Sequence, residues 1–318
     1  MVESIFRATN NFNERKGILM ENPKAQLLQA KYVLDYENSE LFHYYEEAEE
    51  KFVYCFFGDL EIDGDLRLDW EGYGDAGNFA EGFCERYNIR GGWLLGWYNP
   101  ITIDGEEVEN PVEKAGIVPG DTIHTVNGHK VFTSEGETDN EIIYAGSPKQ
   151  VEVEYTHLGE PATTTIEPYY IDGLPRLGIQ CYLLNEKKSP EDYGICVLGN
   201  LKVNGSVVNR TGEGGPMLYV KGDLEADNLI AGGAFVEVKG TTRVKHYVYG
   251  HYNDGIARLE DVEAKAVINS DHDLSFGEFT GLYLDDVFDV EEYFDSKYED
   301  EIDAMLDGAD IIMPEDND

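Results

Sequence analysis

The tightest constraint on this chain is a short phrase that recurs: an apolar residue or lysine, then glycine, then Asp or Asn, then leucine and an alternating strand. It stands at Phe57-Gly58-Asp59-Leu60-Glu61-Ile62, at Leu198-Gly199-Asn200-Leu201-Lys202-Val203 and at Lys221-Gly222-Asp223-Leu224-Glu225-Ala226. Two degenerate copies follow. Lys239-Gly240-Thr241-Thr242-Arg243-Val244 keeps the glycine, and Leu259-Glu260-Asp261-Val262-Glu263-Ala264 keeps the acid and the alternation. Gly222 and Gly240 are 18 residues apart, Gly240 and Glu260 20. A period near 20 with short strands and Gly/Asn/Asp turns is what a parallel β-helix requires, because each coil buries its inward face only against its neighbours. A β-sandwich is the competing arrangement, but Asn-Gly hairpin turns do not separate the copies. The expectation is a mainly β protein built on a short right-handed parallel β-helix.

About 140 residues of different character separate the first copy from the second. They contain Asn110-Pro111-Val112-Glu113-Lys114-Ala115-Gly116-Ile117-Val118-Pro119-Gly120-Asp121-Thr122-Ile123-His124-Thr125-Val126-Asn127-Gly128-His129-Lys130-Val131. The physical reading is a short helix with Val112 and Ala115 inward, a Gly116 cap, a Pro119-Gly120-Asp121 turn, an alternating strand and an Asn127-Gly128 hairpin turn. This stretch closely resembles the PDZ family over about residues 86–170, ending with strands at Val151 to Tyr155 and Ala162 to Ile166. The resemblance implies a groove in which an extended peptide adds as a strand and its terminal carboxylate meets backbone amides. The matching loop is Gly92-Trp93-Leu94-Leu95-Gly96-Trp97, so Leu95, Gly96 and Trp97 would offer the amides, with Ile142 or Ile143 lining the side-chain pocket.

The domain reading follows: 1–50 an N-terminal helical segment, 51–85 a first coil, 86–170 the PDZ-like insertion, 176–284 the rest of the β-helix, and 285–318 an acidic helix and tail. Leu27, Leu28, Ala30 and Tyr32, then Leu41, Phe42, Tyr45 and Ala48, read as short N-terminal helices. Ile302, Met305 and Leu306 share one helical face, so small helical caps are expected at both ends. Residues 285–318 hold 15 acidic residues against Lys297 alone, a net charge of −14.

Charge narrows the function classes. With 64 acidic and 24 basic residues the formal net charge is −40. Nucleic acid and anionic membranes are excluded as direct ligands, since both need Lys and Arg to meet phosphate. A protein partner of basic character is favoured, through steering. The first residues lack a basic segment followed by an apolar one, and no stretch approaches 18 apolar residues, which reads as cytoplasmic. Cys55, Cys84, Cys181 and Cys196 share no CxxC spacing and read as reduced, mostly buried thiols.

Neither GxSxG nor HExxH occurs, nor a glycine-rich phosphate loop. The candidate polar cluster is His251, Asp254, Asp271 and His272, with His246 and Asp273 nearby; His251 and His272 are 21 residues apart, about one coil. Stacked imidazoles with carboxylates suit a divalent metal or acid–base work on a glycan. The same residues suit turns and a polar ladder, because Asp and Asn satisfy turn amides. The ladder reading is taken, with no catalytic residue, metal or cofactor assigned. The region after residue 190 resembles Gly-Asp-Leu repeat regions of bacterial β-helix proteins, some encoded among polymorphic toxin and immunity systems. Gly222-Asp223-Leu224, Asn228 to Ala234, Tyr249 to Gly255 and Asn269 to Asp273 carry the likeness. The expected function is a non-enzymatic protein-binding protein, in its sharpest form an immunity protein that neutralises a toxin. The alternatives are a PDZ-type scaffold that recognises a peptide terminus and a β-helix enzyme acting on a glycan.

Overall fold

The computed structural model describes residues 24–33, 52–68, 86–87, 89–130, 149–171, 174–183, 193–212, 216–298 and 300–312. The chain divides into two compact units. One comprises Met1–Leu34, Phe52–Phe57 and Ala80–Lys188; the other comprises Asp35–Lys51, Gly58–Phe79 and Ser189–Asp318.

The second unit is a β-solenoid of about four turns, within a mainly β chain. Its strands fall on three parallel faces. The first stacks Tyr193–Val197, Met217–Val220, the start of Phe235–Val244, the start of Ile256–Glu263, and Asp273–Phe276. The second stacks Leu60–Ile62, Leu201–Val203, Leu224–Ala226 and the ends of the two long strands. The third stacks Leu66–Arg67, Val207–Val208, Leu229–Ala231, Tyr247–His251, Ala266–Ser270 and Leu282–Leu284. Inward columns such as Leu60, Leu201 and Leu224 are essentially dry, which is why leucine recurs there.

The corner explains the repeated phrase. Asp59 Oδ1 accepts the Asn200 amide at 2.8 Å, Asn200 Oδ1 the Asp223 amide at 2.9 Å, and Asp223 Oδ1 the Thr241 amide at 2.9 Å. Each acid or amide side chain thus caps the next coil. Glycine precedes it because that approach leaves no space: a Cβ on Gly222 would stand 2.4 Å from Asn200 Oδ1, and one on Gly240 2.5 Å from Asp223 Oδ1. The first copy therefore stacks directly on the second, although 141 residues separate Asp59 from Asn200.

The outward side of the third face is apolar. Val208, Ile230, Tyr247, Tyr249, Ala266 and Ile268 form one cluster with Val290, Phe294, Ile302, Ala304 and Met305. The helix Glu301–Leu306 thus lies along the flank of several coils, instead of over an open end as a cap. Asp300 caps it by accepting the Asp303 amide at 2.7 Å. Glu301 and Asp303 in its first turn face the positive end of the helix dipole.

The first unit contains a sheet in the order Glu160–Ile166, Val151–His157, Thr122–Val126, Trp93–Tyr98, Ile179–Leu183. The helix Pro111–Lys114 is capped by Asn110, whose side chain accepts from the Val112 and Glu113 amides. Val112 is fully buried. Asn127 and Gly128 both have positive φ, 51° and 75°, as a tight hairpin between Thr122–Val126 and His129–Lys130 requires. Trp93, Leu95, Val112, Ile117, Ile123, Val151, Val153 and Ile166 form the core.

One sequence expectation changes. Leu27 and Leu28 lie on a strand, Ala25–Gln29, followed by a tight turn at Ala30–Tyr32. The strand pairs antiparallel with Phe52–Phe56. A short apolar run fits helix or strand equally by periodicity, and a buried partner decides it. The second expected helix, at Leu41 to Ala48, lies outside the described residues. No helix among the described residues is long and apolar enough to cross a membrane.

Candidate functional site

The polar cluster sits where the third face turns into the first. His251 and His272 are turned into the coil stack. His251 Nε2 lies 3.0 Å from the Asn209 carbonyl and His272 Nδ1 2.9 Å from the Tyr252 carbonyl. His251 also stacks on Tyr249, ring centroids 5.0 Å apart. Burial pushes both imidazoles below their ordinary value, so both are neutral near pH 7. Small residues make the space: a Cβ on Gly255 would stand 2.3 Å from the His272 ring. His272 Nε2 and Asn209 Nδ2 are buried without a hydrogen-bond partner among the described residues.

The carboxylates of the cluster point elsewhere. Asp254 and Asp271 are exposed, and Asp271 occupies a left-handed turn position with φ 55°. Asp273 pairs with Arg258 at 2.6 Å. No group of three or more His, Cys, Asp or Glu side chains placed to hold a metal ion occurs among the described residues. The arrangement is a pair of backbone-bonded histidines at a solenoid corner, with acids around it on the surface.

The described residues expected to receive a peptide terminus lie on a strand. Gly92-Trp93-Leu94-Leu95-Gly96-Trp97 was expected as a loop; from Trp93 onward it is a strand with a partner on each side. It pairs with Thr122–Val126 on one edge and with Ile179–Leu183 on the other. The Leu95 amide donates to the Asp121 carbonyl at 2.9 Å, and the Gly96 carbonyl accepts the Tyr32 hydroxyl at 2.8 Å. Trp93 and Leu94 are thus bordered by a strand on both edges. Trp97 is 45% exposed. Ile142 and Ile143 lie outside the described residues.

In the same unit, His157 Nδ1 lies 2.7 Å from Asp121 Oδ1, and Asp121 also accepts the Val118 amide at 2.9 Å. The Asp121 side chain raises His157 above the ordinary imidazole value, while burial raises Asp121 itself. His124 is buried, bonded to the Gly91 carbonyl and to Thr156. Cys181 and Cys196 are free thiols, and burial pushes Cys181 up to about 12.

Sequence reasoning missed two features. Arg210 bonds Asp300 at 3.2 Å and also Asp303. Lys265 pairs with Asp310 at 2.5 Å, and the Tyr247 hydroxyl donates to the Ala309 carbonyl. The second feature is an aromatic layer on the last coil. Phe276 meets Phe279 with centroids 5.9 Å apart and Tyr283 at 5.2 Å, both edge-on. One aromatic from each face over the final coil was a readable signal once the period was known.

The site and fold define a β-solenoid protein with an acidic surface. No family model matches the sequence, and no curated protein matches it.

Proposed function

We propose that the chain is a non-enzymatic binding protein that presents a rigid acidic surface to a basic protein partner. The charge carries this reading: a net −40 on a solenoid whose corner groups already serve its own backbone. Asp59, Asn200 and Asp223 cap successive coils, and His251 and His272 hold carbonyls. What remains for a partner is a rigid, mostly acidic exterior, which raises association rate by steering.

The finer form of the proposal is an immunity protein that neutralises a basic toxin, and it rests on the Gly-Asp-Leu likeness. The right-handed sense of the solenoid and a PDZ-like fold for the first unit belong to the same proposal. The capped helix Pro111–Lys114 and the Asn127-Gly128 turn support the latter. The strand Ile179–Leu183 pairs along one edge of Trp93–Tyr98.

The test is capture of the tagged full chain with its native lysate, followed by kinetics with the purified partner. A single stoichiometric basic protein is expected, with an association rate that falls at least about tenfold between roughly 50 and 500 mM salt. A neutral or acidic partner, or an association rate indifferent to salt, refutes the reading.

A further inference from the structure

The last coil ends the solenoid without a covering strand among the described residues. Asp273–Phe276 pairs only with Ile256–Glu263, Leu282–Leu284 only with Ala266–Ser270, and Phe279 forms a single bridge to Val262. Inward positions that are dry one coil earlier open here: Val267 is 0% exposed, and Tyr283, stacked on it, is 41% exposed. The helix that was expected to close this end lies on the flank instead. The end therefore offers unpaired strand edges beside an aromatic layer of Phe276, Phe279 and Tyr283. Such edges template pairing with another chain unless they are blunted.

The charge around the edge selects the occupant. Residues 266–296 hold nine acidic side chains and no Lys or Arg. Asp273 is paired with Arg258, while Asp271, Glu278 and Asp286 are exposed. A second copy stacked end to end would bring two such rims together, which costs several kcal/mol for apposed like charges. An extended basic segment meets no such penalty. We infer that the final coil is a β-augmentation site for a basic, alternating strand of a protein partner. Its backbone would pair along Asp273–Phe276 or Leu282–Leu284, its apolar side chains would cover the aromatic layer, and its cations would meet the rim. This rests on the binding reading above and assigns it a surface.

The probe is a capped peptide alternating Lys and Val over seven residues, titrated into the full chain at low salt. Three chains are compared: wild type, Ser275→Lys/Glu278→Lys on the last coil, which changes the net charge by +3, and Glu225→Lys/Glu260→Lys on earlier coils, a control with the larger change of +4. All four positions are exposed, and near-UV circular dichroism checks that the variants fold. The last-coil variant should weaken binding at least about tenfold and the control less than about threefold, because edge lysines block pairing as well as repel. In wild type, the peptide should slow amide exchange over residues 273–284. Equal loss in both variants, or no added protection, overturns the assignment and leaves the basic-partner reading standing, since diffuse attraction would suffice. No binding to wild type also overturns it. Concentration-dependent dimers lost only in the last-coil variant would overturn it in favour of a second copy.

Discussion

The corner ladder makes an unusual prediction for Gly222→Ala. Gly222 lies outside the left-handed region, so alanine meets no backbone strain and would ordinarily stabilise by about 0.4–1 kcal/mol through the unfolded chain. Here the new Cβ stands 2.4 Å from Asn200 Oδ1 and 2.8 Å from the Gly199 carbonyl. The neighbours are a ladder side chain and backbone, so the coil must separate or shed the Asn200–Asp223 bond. Losing that bond costs about 1 kcal/mol, and overpacking adds about 1–3 kcal/mol. Against the entropic gain the net is a destabilisation of about 2 kcal/mol. For a unit of this size that lowers the melting temperature by about 4–8 °C. Calorimetry measures it, with the solenoid's transition assigned by hydrogen exchange in Met217–Val220. Asn200→Ala alone should cost about 1 kcal/mol, and the double substitution should cost about 1 kcal/mol less than the two singles together, because the clashing oxygen is gone. An unchanged or raised melting temperature for Gly222→Ala, or strict additivity, refutes the ladder argument.

Met305 is fully buried against the flank, so Met305→Ala should cost about 2–5 kcal/mol; faster exchange of the Ile312 amide, which bonds the Tyr293 carbonyl, reads the loosened segment. His251 and His272 have folded values lowered by burial. Their contribution is therefore present above the unfolded value of about 6.5 and lost as pH falls through the folded values. The solenoid's melting temperature should drop below about pH 6, and the drop should flatten in His251→Gln/His272→Gln; an equal slope in both proteins rules the histidines out.

The solenoid was legible because its repeat is enforced by physics at one corner. Glycine, then Asp or Asn, then leucine is the local requirement of a coil that bonds the next coil's amide and buries a side chain, and it survives 141 intervening residues between Asp59 and Asn200. The helix Pro111–Lys114 and the Asn127-Gly128 turn were readable for the same reason: capping and positive φ are local. What failed depended on distant partners. Leu27 and Leu28 form a strand because Phe52–Phe56 lies beside them, and nothing within five residues encodes that. Gly92 to Trp97 read as a loop, because only the pairing of Ile179–Leu183 makes it a doubly bordered strand. The apolar face of Ile302 and Met305 was read correctly, but the surface it meets, Ile230, Tyr249 and Ile268, is set by outward positions of three coils that no single segment displays.

The first coil poses an energetic question of its own, since it must dock across a long excursion of chain. Treated as a flexible loop, closing the stretch from Leu68 to Tyr193 costs about 4 kcal/mol by the logarithmic dependence on length, and less where that stretch is itself folded. The coil offers Leu60, Ile62, Leu66 and Leu68, each at most 3% exposed. Burying an aliphatic side chain contributes about 1.5–3 kcal/mol, so two to three of the four offset the closure. Parallel pairing of Leu60–Ile62 with Leu201–Val203, and of Leu66–Arg67 with Val207–Val208, then fixes the register. Because solenoid stability is a sum of coil and neighbour terms, these strands of the first coil are held, among the described residues, through the second coil. A defect at Leu201 or Val207 therefore weakens the first coil's seat in the stack as well as the second coil itself.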